Sequence, residues 1–318
     1  TMMQYIDASM VGSMGPEASA AIGLIETTTW LMGSLCSATA AGFYVQVSHQ
    51  LGADDAAQAR STLRQGIMSV LMVSALIGLV ALAISPFLPS WLGGNDSINA
   101  TSSAYFAIIA VALPAFQFSM FSQGMLRSSG NMLVPSIMSV VMMSLDVVFN
   151  FFLIFHTRTV DVLGMSLTLP GAGMGVVGAA IGTASAELVA ASITMYILCF
   201  RSKELSLRID RGRFLPTWQV VKRALHIALP MGIQQTIMTS AYIVTTIIIA
   251  PLGTFAIAAN SFGIIVESLC YMPGYGVSDA ATTLVGQSMG AGRYELMKRF
   301  AWLSVGLGMG IMTLMGVV

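Results

Sequence analysis

The sequence predicts an all-α membrane protein, a helical bundle carrying a parallel internal repeat, and three observations support that prediction. Of the 318 residues, 56% are hydrophobic and 9% charged, with a mean hydropathy of +0.81, whereas a soluble domain carries about 25% charged residues. Apolar runs of about 20 residues, the length that crosses a ~30 Å hydrocarbon core, recur along the chain with short polar breaks and leave no room for a sizeable soluble domain. Two glycine motifs return at one fixed offset. Gly15 in VGSMGPEASAA aligns with Gly253 in IAPLGTFAIAA, and Gly52 in HQLGADDAAQAR with Gly290 in QSMGAGRYELMKR, each pair 238 positions apart.

Taken in order, the spans are expected at 20–47, 65–88, 103–126, 132–156, 175–200, 224–250 and 256–285, with an incomplete one at each terminus. Lipid offers no partner for a free backbone N–H or C=O, so each span is a helix. Residues 1–14 lack an n-region and a cleavage site and read as the second half of a helix, not as a signal peptide. The closing run LSVGLGMGIMTLMGVV reads as the start of another.

Basic residues set the orientation, because short loops rich in Lys and Arg stay in the cytoplasm. Arg60 and Arg64, then Arg127, then Arg201, Lys203, Arg208, Arg211, Arg213, Lys222 and Arg223, then Arg293, Lys298 and Arg299 fall on alternate loops. Of the 14 Lys and Arg residues only Arg158 lies opposite. The two repeat copies therefore share one orientation, the parallel arrangement of transporters that bind between two halves. The predicted organisation is an N-terminal lobe at 1–200, a basic cytoplasmic linker at 201–221 and a partial C-terminal lobe at 222–318.

Several chemistries are set aside. Cys36, Cys199 and Cys270 lie far apart in apolar runs, which suits packing and not a disulfide framework. His49, His156 and His226 show no metal-ligand spacing. Gly173, Gly175 and Gly178 match GxGxxG, but an apolar span follows and no βαβ unit is present, so no nucleotide role is read there. Gly171 with Gly175, and Gly178 with Gly182, instead allow close helix approach. No GxxxxGK[ST] occurs, no nucleic-acid partner is indicated, and neither a paired nucleophile and base nor a metal set suggests an enzyme. The 24 methionines are read as packing.

The acidic residues carry the functional signal. Asp7, Glu26, Asp146, Glu187, Glu267 and Asp279 fall inside spans, where a lone carboxylate costs about 2.5–3.5 kcal/mol and so seeks the bundle interior, water or a cation. At a rise of about 1.5 Å per residue, Asp7 lies about 12 Å below Gly15, Asn150 about 9 Å and Asp146 about 15 Å below His156, and Thr183 about 12 Å below Gly175. These four share an outer-half level, and Asp146 and Asn150 share a helix face. Two carboxylates, an amide carbonyl and a hydroxyl suit Na⁺ or protons. Glu267 and Asp279 flank SLCYMPGYGVS, where proline and glycine free backbone groups that can line a cavity. Tyr271 and Tyr275 in that stretch, with Gln234 and Gln235 in LPMGIQQ, complete the cavity set. Glu26 and Glu187 read as isolated.

The runs DASMVGSMGPEASAAIGL, VSHQLGADDAAQAR, MGVVGAAIGTASAE, LPMGIQQ and ESLCYMPGYGVSDAATTLVGQSMGAG together resemble the multidrug and toxic compound extrusion (MATE) family of cation-coupled antiporters. The resemblance implies twelve helices in two lobes around a central cavity, of which this chain would hold about helices 1 (partial) to 9 (partial). It implies no cofactor, Na⁺ or H⁺ as the coupling ion, an organic cation as substrate, and a monomer in the inner membrane of a bacterium or archaeon. Asp7 matches the family's first-helix aspartate and Thr183 a sixth-helix threonine of one branch. That branch's fifth helix carries Asn and then Asp four residues later; here the order is exchanged, Asp146 then Asn150. The seventh-helix glutamate of another branch has no counterpart in QQTIMTSAY. Related folds flip lipid-linked oligosaccharide precursors, an alternative that expects basic residues inside the spans, where none is found.

Overall fold

The computed structural model describes residues 10–93, 96–162, 165–209, 212–249 and 254–317. Its helices are α1 (Pro16–Gly52), α2 (Ala56–Ile84), the single turn α3 (Leu88–Trp91), α4 (Asp96–Ser128), α5 (Leu133–Ile154), α6 (Gly175–Tyr196), α7 (Trp218–Ile249), α8 (Thr254–Gly290) and α9 (Tyr294–Val317). A π-helical turn, Ile197–Arg201, extends α6.

Every complete predicted span lies on a helix, but the bounds differ for physical reasons. Hydropathy reads the thickness of hydrocarbon, whereas a helix continues into the polar interface as long as its backbone is satisfied. Thus α1 runs 37 residues, roughly 55 Å, where 20–47 is expected. The span expected at 65–88 starts earlier and ends at Ile84, because Pro86 disfavours helical backbone in the residue before it. Among the described residues, Ala56–Ile84, Ile98–Ser128, Leu133–Ile154, Gly175–Arg201 and Tyr294–Val317 are long and apolar enough to cross a membrane.

One element is absent from the sequence reading. Strands β1 (His156–Val162) and β2 (Met165–Ala172) pair antiparallel, His156 opposite Ala172 and Val162 opposite Met165, between α5 and α6. The run HTRTV is rich in β-branched residues, a signal overlooked beside the long apolar spans. Gly171 therefore stands in a strand and not on the helix with Gly175, and its missing side chain admits the Phe155 carbonyl.

The chain forms two compact units: Thr1–Ser37, Ile67–Gln123 and Leu133–Arg201 in the first, and Ala38–Gly66, Gly124–Met132 and Ser202–Val318 in the second. In the first unit, Ile25, Met32, Cys36, Phe106, Ala110 and Leu113 are core residues packed between α1 and α4. Pro114 interrupts α4, and its missing N–H leaves the Ala110 carbonyl without a helical donor. A Cβ on Gly78 would lie 2.8 Å from that oxygen, so α2 presents its bare backbone there.

The 238-residue offset extends to backbone detail. Helices α1 and α8 are 37 residues each, with bounds 238 apart, and α2 and α9 begin at Ala56 and Tyr294, again 238 apart. The turns between them match bond for bond. Ala53 N–H donates to His49 C=O at 3.0 Å, as Ala291 does to Gln287 at 2.9 Å; Asp55 donates to Gln50 at 2.9 Å, as Arg293 does to Ser288 at 3.0 Å. Asp54 has φ 58° and Gly292, its equivalent, φ 67°.

The helices α5 and α6 pack flush because Gly178 and Gly182 face α5; a Cβ on Gly178 would sit 2.5 Å from the Leu153 carbonyl oxygen. Backbone cannot yield as a side chain can, so Gly178→Ala is expected to cost about 1–3 kcal/mol. Thermal unfolding in detergent should show a lower Tm. Gly33→Ala, whose Cβ meets no described atom within 4 Å, should leave Tm unchanged or raise it, since alanine is the better helix former by about 0.5–1 kcal/mol.

Candidate functional site

The site is built on α5, whose buried residues are Pro135, Met138, Asp146, Asn150 and Ile154. The opposite face is open and apolar, with Leu133, Ile137, Val140 and Val148 exposed. This is the pattern of a lipid-facing helix that keeps its polar side chains inside the bundle. Asp146 and Asn150 are both fully buried, and the Asn150 amide Nδ2 donates to Asp146 Oδ2 at 3.2 Å. Gly182 of α6 lies over the other end of that amide, where a Cβ would overlap Asn150 Oδ1.

Glu187, set apart as isolated by the sequence reading, belongs to this cluster. It is buried, with the Ser119 hydroxyl of α4 beside it and Asp146 of α5 within electrostatic reach. Gln123 Nε2 donates to Ser119 Oγ at 3.0 Å, and Ser139 Oγ lies 3.3 Å from Gln123 Oε1. Polar groups from α4, α5 and α6 thus converge on two carboxyls. Spacing could have pointed to Glu187, which follows Thr183 by one helical turn, but its partners on α4 lie outside any local pattern. Removing the hydroxyl should cost about 1–3 kcal/mol, because the Gln123 amide loses the acceptor it has in Ser119 Oγ. Ser119→Ala is therefore expected to lower Tm, and Ser119→Thr to retain it.

Thr183 is half-buried on α6, beside Gly182. Asp7 lies outside the described residues. The chain just after it is placed, however: Val11 packs with Ile154, Val176 and Ala179 at the ends of α5 and α6. Among the described residues no group of three or more His, Cys, Asp or Glu could hold a metal ion. The oxygens of Asp146 and Asn150 are hard donors of the kind a monovalent cation takes.

The expected cavity set is dispersed. Gln234, Gln235, Glu267 and Tyr275 are exposed on α7 and α8. Tyr271 and Tyr275 stack edge to face, 5.8 Å between ring centroids. Asp279 forms an ion pair with Arg127 at the last turn of α4. A groove of about 530 Å³ in the first unit is lined by apolar residues such as Leu82, Val111, Pro114 and Leu188 and includes none of the candidates. Glu26 is exposed on α1.

Comparison with known proteins agrees with this architecture. The MatE family model matches residues 1–152 and 230–318. A probable multidrug resistance protein NorM of Thermotoga maritima is 27% identical over 91% of this chain and 59% of its own length. One of Xanthomonas axonopodis pv. citri is 27% identical over 98% and 66%, and a FAD transporter of Shewanella oneidensis 25% identical over 94% and 63%. The chain thus spans 59% to 66% of the length of these relatives. The outward-facing structure of a multidrug resistance MATE family transporter of the MOP superfamily superposes with a TM-score of 0.85 at 20% identity, covering 98% of this chain and 65% of that one. A MOP superfamily transporter from Pyrococcus furiosus gives the same TM-score, 0.85, at 20% identity over 98% and 65%.

Proposed function

The chain belongs to the MatE family, and from that premise we propose that it is the larger part of a cation-coupled antiporter exporting organic cations across the inner membrane by alternating access. The observation that carries the proposal is the pair of buried carboxyls, Asp146 and Glu187, with the Asn150 amide on Asp146. Two carboxylates in a low-dielectric interior do not both stay charged without a cation or proton between them. The cluster therefore holds one or the other, and the proposal takes Asp7 and Thr183 as its further oxygen donors. The NorM relatives supply the drug-like class of substrate. The lobes are proposed as 1–200 and 222–318, joined by the basic linker 201–221, with the basic loops facing the cytoplasm.

Coupling works through competition. An ion shifts the equilibrium between two states only by its difference in affinity for them. Inward Na⁺ or H⁺ bound at Asp146 and Glu187 favours the state that releases the organic cation outside.

The test is ethidium efflux from a pump-deficient strain expressing the intact protein, under imposed Na⁺ and H⁺ gradients. Wild type should extrude dye under one of them, and that gradient names the coupling ion. No efflux under either would overturn the drug-export reading and turn the test to lipid-linked oligosaccharide flipping, or to FAD, the substrate named for the Shewanella oneidensis relative.

A further inference from the structure

Residues 202–209 and 212–217, which lead towards α7, are tied down within the second compact unit. Arg60 and Arg64 of α2 turn inward, 9% and 3% exposed, and donate to the carbonyls of Glu204 at 3.0 Å and Leu207 at 3.5 Å. A Cβ on Gly212 would lie 2.6 Å from Arg64 Nη1, so the chain passes bare over that guanidinium. Gln65 Oε1 accepts from both the N–H and the hydroxyl of Thr217 at 2.8 Å. Gln46 Nε2 of α1 donates to the Val220 carbonyl of α7 at 3.3 Å. Leu205 is fully buried beneath the segment.

The segment's own cations face the other way. Lys203, Arg208 and Arg213 are exposed, as are Lys222 and Arg223 at the start of α7. Lys203, Arg213, Lys222 and Arg223 have no carboxylate partner among the described residues. Among them stand three large apolar side chains, Phe214, Leu215 and Trp218, 45%, 70% and 71% exposed. Water disfavours that apolar area, whereas a membrane interface accepts both kinds of group. Trp rings settle at headgroup level, and Lys and Arg clustered just cytoplasmic of a spanning helix attract anionic lipid. Beyond Trp218, α7 continues with Leu225, Leu229 and Ile233 exposed, as a helix entering lipid does.

We infer that this tied segment and the start of α7 form a preset site for anionic phospholipid headgroups of the cytoplasmic leaflet. Lys203, Arg208, Arg213, Lys222 and Arg223 meet the phosphates, while Phe214, Leu215 and Trp218 enter the interface. The inference goes beyond drug export, since the site takes lipid whichever solute is carried. Charges that only orient a chain in the membrane need no fixed backbone under them. Here two buried arginines and two glutamines fix it, and a surface ordered in advance loses less freedom on binding than a mobile one.

The test titrates spin-labelled phosphatidylglycerol into phosphatidylcholine bilayers holding the intact protein, with spin-labelled phosphatidylcholine as the reference. Wild type should immobilise the anionic label preferentially, and added salt should erode the preference. Lys203→Gln, Arg213→Gln, Lys222→Gln and Arg223→Gln together should weaken it, by about fivefold in affinity for each cation removed from the surface. Gln46→Ala with Gln65→Ala cuts two of the ties and changes no charge, yet should weaken the preference as well. A preference untouched by the alanine pair would show that diffuse charge suffices and would refute the preset site. If the alanine pair does not fold, the glutamine set decides, because its four side chains are all exposed; a preference that survives it overturns the inference. Wild type that treats the two labels alike would overturn it too, and leave the surface to an acidic protein partner.

Discussion

Asp146→Asn is expected to reach the membrane in wild-type amounts and to extrude no ethidium in response to a Na⁺ or H⁺ gradient. The amide has nearly the shape of the carboxyl it replaces, and its Oδ1 can still accept from Asn150 Nδ2, now 3.2 Å from Asp146 Oδ2. The packing of α5 on α6 is therefore kept and only the charge is lost. That charge is what distinguishes the ion-bound from the ion-free state, and a ligand without differential affinity shifts no equilibrium. Efflux assayed at matched expression checks the outcome. Gradient-driven efflux persisting in Asp7→Asn with Asp146→Asn would rule out the carboxyls as the coupling site. Glu187→Gln should give the same phenotype as Asp146→Asn, because the two carboxyls act on each other in one buried cluster.

Gly182→Ala should likewise abolish coupled efflux, yet cost less stability than Gly178→Ala. The new methyl overlaps Asn150 Oδ1, the end of a side chain that can rotate away, and lies 3.1 Å from the Asn150 backbone nitrogen, whereas at Gly178 it would sit 2.5 Å from the Leu153 carbonyl oxygen. The rotation removes Asn150 from Asp146, so function is lost while the helix pair persists. Truncating the obstructed group should relieve the strain: Gly182→Ala and Asn150→Ala are expected to be non-additive by roughly 0.5–3 kcal/mol in a double-mutant cycle, read from Tm. Additive behaviour would show that the two residues do not press on one another.

Asp146 and Asn150 were legible in the sequence because both the apolar run around them and their spacing of four are local. The close approach at Gly178 and Gly182 was legible for the same reason. Glu187 was not: what distinguishes it is Ser119 on another helix, and no periodicity within α6 announces a partner on α4. Asp279 is expected at a cavity because proline and glycine surround it, whereas its ion pair with Arg127, 152 positions earlier, has no local signal. The hairpin at His156–Ala172 was missed because a hydropathy window long enough to find spans averages over strands of seven and eight residues. The long ends of α1 and α8 were missed because polar residues propagate a helix as well as apolar ones do.

The matched turns after α1 and α8 bear on how this chain diverged from its duplicated ancestor. One copy places an aspartate at the left-handed position and the other a glycine, and around them HQLGADDA faces QSMGAGRY, with few side chains in common. The peptide-to-peptide bonds have stayed in register across that drift. The duplication has therefore preserved a backbone and left its decoration free to change, so that unlike side chains ride on one and the same course of chain.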